Sequence, residues 1–167
     1  MSATDIIAVC QKQILIHPND CSAFVRTVAN ACGVILRGNA NGIVMQLRSS
    51  GQALRNGTAA GQAAASGKLV VGGLAAAGNG HVVIVVKGPI VGGHPYAFWG
   101  RYHAVRTGSG QNDFVNVGFT QGHGSMRWAF RAPDLASVVY AAFDPIETLL
   151  PKAQEGEGLY LPIFSRL

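Results

Sequence analysis

The sequence predicts an α+β fold. Two stretches near the N-terminus repeat their apolar residues with a helical period and begin on capping side chains. From Lys68 onward the pattern changes to short runs of Val, Ile and aromatic residues divided by Gly-rich turns, which reads as an antiparallel sheet. Helices come first and strands after, with no internal repeat and no linker, so a single domain over 1–167 is expected.

The first helix is expected over 4–16 (TDIIAVCQKQILI), capped by Thr4 or Ser2, with Cys10 on its apolar side as a buried structural residue. The second is sharper. Asp20 is a good N-cap, and Cys21, Phe24, Val25, Val28, Ala29 and Cys32 follow as one stripe. Gly33 stands where a left-handed residue ends a helix. RGNAN (37–41) is a polar turn signal, with a short helix after it through Val44, Met45 and Leu47. NGTAAGQAAASG (56–67) reads as a loop or as a weak Ala-rich helix.

KLVVGGL and HVVIVVKG are the first two strands, and the unbroken apolar run 82–86 implies cover on both faces. YAFWGRYHAV (96–105) is a third strand. Residues 107–125 read as turns around a short FVNVGF strand. MRWAFRAP and LASVVYAAF are two more strand candidates, the second of which could be a helix. Residues 144–167, with three prolines and EGEG, read as a tail laid over the domain.

Composition narrows the function classes. Apolar residues make up 49%, which excludes a disordered chain. The net charge is +5, but the nine Arg and four Lys are scattered without a basic run. A solvated surface fits better than a nucleic-acid patch. No stretch reaches the ~18 apolar residues of a membrane span. The first residues have no basic start, apolar core and cleavage site of a secretory signal, so a cytosolic chain, or export without a cleaved peptide, is expected. Three cysteines cannot form a complete disulfide framework. On one helix Cys21 and Cys32 would stand roughly 16 Å apart, too far to bridge. No Cys/His cluster has zinc spacing, so no metal and no cofactor are expected.

Cys21 is the candidate for chemistry. Free N–H groups and the macrodipole at a helix start favour a thiolate, and the same N–H groups can face an oxyanion. The alternative is that Cys21 simply opens the apolar stripe. A thiolate nucleophile needs a proton partner, most often His. Of five histidines, His81 stands out because it opens the most apolar strand, after AAGNG. His17 reads as a turn residue, and His103 and His123 as surface.

The pairing of NDCSAFVRTVANACGV and RGNAN with KLVVGGLAAAGNGHVVIVVKGP resembles the type VI secretion amidase effectors, small papain-like cysteine peptidases of the NlpC type. The likeness runs over about residues 5–100 and more weakly through MRWAFRAPDLASVVYAAF. It implies a papain-like fold in which a helix carrying the nucleophile packs on an antiparallel sheet carrying the histidine. It implies hydrolysis of an amide bond next to meso-diaminopimelate in the peptidoglycan stem, with Cys21 as nucleophile and His81 as general base and then acid. The bond would be the D-Glu–diaminopimelate bond or the D-Ala crosslink; the extra segments at 101–120 and beyond 144 tilt the expectation slightly to the crosslink. Arg37, Asn39 and Asn41 become candidates for the cleft wall, against the reading of RGNAN as a capped turn. His94 is a candidate for the group that orients the imidazole, although GGHP looks like a turn and a backbone carbonyl could serve instead. Implied partners are peptidoglycan, an immunity protein that plugs the cleft, and a secretion apparatus; nucleic acid and membrane insertion are not implied. The enzyme would be made in the cytoplasm and act in the periplasm of a target bacterium. The rival readings are a Cys–His acyl-transfer enzyme acting on proteins, a non-catalytic wall-binding module, and a basic nucleic-acid binder.

Overall fold

Four side chains open four helices in the same way. Ser2, Asp20, Asn39 and Asn56 stand in extended backbone and accept the N–H of the residue three positions on, at Asp5, Ala23, Gly42 and Ala59. Each satisfies one of the N–H groups a helix start leaves free. The helices are α1 (Ala3–Ile16), α2 (Cys21–Ala31), α3 (Ala40–Ser50) and α4 (Gly57–Ala65). The computed structural model describes residues 1–78, 80–100 and 122–146.

Helix α2 ends as its sequence predicts. Gly33 has φ +75°, and the N–H groups of Gly33 and Val34 bond back to Asn30 O at 3.0 Å and Ala29 O at 2.9 Å. These two bonds are a Schellman motif, which needs the left-handed residue. Helix α4 decides the Ala-rich stretch in favour of helix: Gly57, Ala60, Gly61 and Ala64 are buried, and side chains this small let it lie close to its neighbours.

Among the described residues, six strands form one antiparallel sheet: β1 (Gln52–Leu54), β2 (Leu69–Leu74), β3 (His81–Val85), β4 (Tyr96–Trp99), β5 (Gly122–Ser125) and β6 (Val139–Phe143), in the order β1-β6-β2-β3-β4-β5. Both faces are covered, as the run 82–86 implies. Val82, Ile84 and Val86 pack in one apolar cluster with residues of α1, α2 and α3. Val83 and Val85 pack in a second with Ala60 and Ala64 of α4, Met126, Ala129 and Phe130. The sheet is therefore the middle of three layers. No helix among the described residues is long and apolar enough to cross a membrane.

Three expectations are corrected. MRWAFRAP is not a strand: Met126–Trp128 and Ala132–Ser137 are 3-10 turns. Its buried residues, Met126, Ala129 and Phe130, recur at i, i+3 and i+4, and Pro133 has no N–H to give a ladder. Residues 122–125, read as turn, form β5, where pairing with β4 through backbone groups overrides two glycines. β1, not foreseen, pairs with β6 at the sheet edge. Of LASVVYAAF, residues 139–143 form strand β6, while 135–137 end the second 3-10 turn. FVNVGF, the end of the third strand candidate and most of the tail lie outside the described residues. The tail's first residues cross the end of α2, where the Ile146 N–H bonds Cys32 O at 3.0 Å.

Candidate active site

The site begins with the cap of α2. The Asp20 carboxylate takes the Ala23 N–H at 2.8 Å, and its carbonyl takes the Phe24 N–H at 2.9 Å, which makes Cys21 the first residue of the helix. The turn before α2 lies directly on the end of β4. A Cβ at Gly100 would stand 2.7 Å from Asp20 O and 2.8 Å from His17 O, so only glycine lets the helix start come this close to the sheet. Cys21 is 5% exposed and belongs to the same apolar cluster as Val82. Its thiol faces the Val82 backbone N–H and stands 3.9 Å from Ser22 Oγ.

His81 opens β3, paired with Leu74 of β2. The turn before it is held from α3. The Asn41 side chain donates to Ala76 O at 2.9 Å and accepts from Ala76 N at 3.1 Å. Gly80 is enclosed by the same residues: a Cβ there would stand 2.2 Å from Leu74 O and 2.5 Å from Asn41 Oδ1. His81 is 1% exposed, and neither ring nitrogen has a hydrogen-bond partner among the described residues. Its ring packs edge-on against Phe130, with centroids 5.2 Å apart.

The structure thus brings Cys21 to the backbone beside His81 but makes no thiol–imidazole hydrogen bond. Alternation along β3 groups His81 with Val83 and Val85, while Val82 faces α2. The protonation states follow from burial. Burial lowers the His81 imidazole to about 4, so it is neutral at pH 7. Burial also raises the Cys21 thiol, more than the Val82 N–H and the Ser22 hydroxyl lower it, and the Asp20 carboxylate raises it further. The expectation of a thiol lowered by the helix start is corrected on this point: removal from water outweighs the favourable N–H groups.

The remaining candidates are placed elsewhere. Asn39 uses its side-chain oxygen on the Gly42 N–H at 3.0 Å, and Asn41 uses both ends on Ala76. The Arg37 backbone is bracketed by the Gln46 side chain, through bonds of 3.1 Å and 2.7 Å, and its side chain is exposed. Arg26 of α2 donates to Gly38 O in the same turn. Asn39 caps α3 from within RGNAN, whereas Asn41 lies in α3 and ties it to the turn before His81. His94 is corrected outright. It lies in the Val91–His94 turn after β3, at the opposite end of that strand from His81 and roughly 16 Å along it. Sequence reasoning missed Phe130, which it placed in a strand, and the positioning role of Asn41. Cys10 and Cys32 are fully buried, as expected of core residues.

A thiol on the first turn of a helix, laid on an antiparallel sheet beside a strand that opens with histidine, places the chain in the α+β class its sequence predicts. Over 75 residues, 44% of the chain, it is 44% identical to the peptidoglycan amidase Tse1 of Pseudomonas aeruginosa. That stretch is 49% of the relative, so the match spans about half of its length. The resemblance to the amidase effectors is borne out to that extent: the chain is related to a peptidoglycan amidase. No model of a known protein family matches the chain.

Proposed function

We propose that this protein is an antibacterial effector that hydrolyses an amide bond next to meso-diaminopimelate in the peptide stem of peptidoglycan, on a papain-like fold. The observation that carries the reading is the relationship to a peptidoglycan amidase. The placement of Cys21 at a capped helix start, against the backbone that follows His81, supports it.

With both groups neutral at rest, the pair works as a thiol and a base and not as a preformed ion pair. Cys21 Sγ attacks the carbonyl carbon while its proton passes to the imidazole. The oxyanion faces the backbone N–H of Cys21 at the helix start. The imidazolium returns its proton to the leaving amine, and the C–N bond breaks to give a thioester. Water, giving a proton to His81, then attacks the thioester, and the thiol is restored as the acid leaves. The protein acts in the periplasm of a target bacterium, delivered by a secretion apparatus, and a cognate immunity protein blocks the site.

The test is digestion of purified sacculi by wild type and by Cys21→Ala, with fragments identified by mass spectrometry. Loss of crosslinked dimers, or release of cut stems, by wild type alone supports the reading and identifies the bond. Intact sacculi in the presence of folded wild type would refute it and favour a protein-directed enzyme.

A further inference from the structure

The Cys21 thiol lies where the ladder between β3 and β4 stops. These strands pair through Val85↔Ala97 and Ile84↔Phe98. Continued in the same register, the ladder would set Val82 against Gly100. But β4 ends at Trp99, and Gly100 lies against the carbonyl oxygens of Asp20 and His17. The turn before α2 takes the place of the next rung, and the Val82 N–H faces Cys21 Sγ instead of a β4 carbonyl.

A second donor comes from α2 itself. Ser22 Oγ stands 3.9 Å from Cys21 Sγ and makes no other hydrogen bond among the described residues. With both groups neutral, either atom can be the donor, and at this length the bond is weak. Loss of the thiol proton removes that choice. The sulfur keeps the electron pair and can only accept, so the Ser22 O–H must point to it, as the Val82 N–H already does. A hydrogen bond to a charged acceptor is about twice as strong as one between neutral groups, so both donors favour the thiolate over the thiol. Among the described residues, Asp20 is the charged group that acts on this thiol. It opposes the thiolate, and its carboxylate is engaged with the Ala23 N–H. His81, one residue before Val82, makes no hydrogen bond to the thiol.

We infer that the Ser22 hydroxyl and the Val82 N–H form an anion seat for Cys21 Sγ, which makes Ser22 a further catalytic residue. The seat serves the proposed hydrolysis and rests on the reading of Cys21 as its nucleophile. It holds the sulfur's charge once the proton has passed to His81 and before the carbonyl is attacked. It receives that charge again when water expels the sulfur from the thioester, until the imidazolium returns the proton.

The test needs no peptidoglycan. Alkylation of Cys21 by iodoacetamide is followed against pH in the folded full chain, with Cys21→Ala giving the background of the fully buried Cys10 and Cys32. Ser22 is half-buried and outside the apolar cluster, so Ser22→Ala is expected to fold. It is expected to move the inflection up by about one pH unit, a reaction about tenfold slower at a fixed pH below it. Ser22→Thr, which keeps the hydroxyl, is expected to stay with wild type. The Val82 amide proton, followed by NMR over the same range, is expected to shift at the Cys21 inflection and to lose that shift in Cys21→Ala. An inflection shared by wild type and Ser22→Ala, equal displacement in Ser22→Ala and Ser22→Thr, a Val82 amide that does not respond, or a Cys21 that reacts only as wild type unfolds would each overturn the assignment. Intact sacculi alongside both expected shifts would keep the seat and refute the hydrolysis instead.

Discussion

Acid should weaken this protein through one side chain, His81. The ring is 1% exposed and burial lowers its pKa to about 4, against about 6.5 for an ordinary histidine. The unfolded chain therefore takes up a proton that the folded chain refuses. Because the folded pKa is the lower one, stability is complete above the unfolded pKa and falls as the pH drops from about 6.5 towards 4. In full this is worth about 3 kcal/mol, and most of it is lost by about pH 4.5. The perturbation is His81→Leu, which cannot take the proton. The assay is urea denaturation of wild type and variant at about pH 7.5 and pH 4.5. Carboxylates that titrate over the same range contribute to both proteins and cancel in the difference. Wild type is expected to lose roughly 2 to 3 kcal/mol more than His81→Leu on acidification. Equal losses in the two proteins would refute the reasoning and mean that the ring is protonated in the folded state.

Phe130→Leu removes the ring that packs against His81 and should let water reach the imidazole, so its pKa, followed by NMR, should rise towards the ordinary value. Asn41→Ala leaves the Ala76 N–H and carbonyl without their partner and should destabilise by about 2 kcal/mol in urea denaturation, with loss of sacculus digestion as the turn before His81 loosens. Iodoacetamide should alkylate Cys21 slowly at neutral pH and faster only above the ordinary thiol range, because burial raises that thiol. Asp20→Ala should speed the alkylation by removing a negative charge, and should cost about 1 kcal/mol as the cap to Ala23 is lost.

Local features were legible wherever the backbone and its own side chains decide the outcome. The caps at Ser2 and Asp20, the left-handed Gly33 and the strand that begins at His81 all lie where residue type and spacing put them. These depend on hydrogen bonds and sterics within a few residues of chain, which sequence displays directly. The double cover of β3 was legible as well, because the run 82–86 carries no polar residue to turn towards water on either face.

Other features depend on partners distant in the chain. Ala-rich 56–67 carries too little apolar contrast to choose between loop and helix, and packing against the sheet settles it. Met126–Phe130 reads as strand by composition, yet forms a 3-10 turn that puts Phe130 against His81. Asn41 looks like any polar turn residue until Ala76, 35 positions on, arrives to use both ends of its amide. The sequence by itself determined which thiol opens a helix and which histidine opens the buried strand. The tertiary structure alone decided that both groups are neutral, because a pKa answers to the water and charge around a group once distant segments have closed over it.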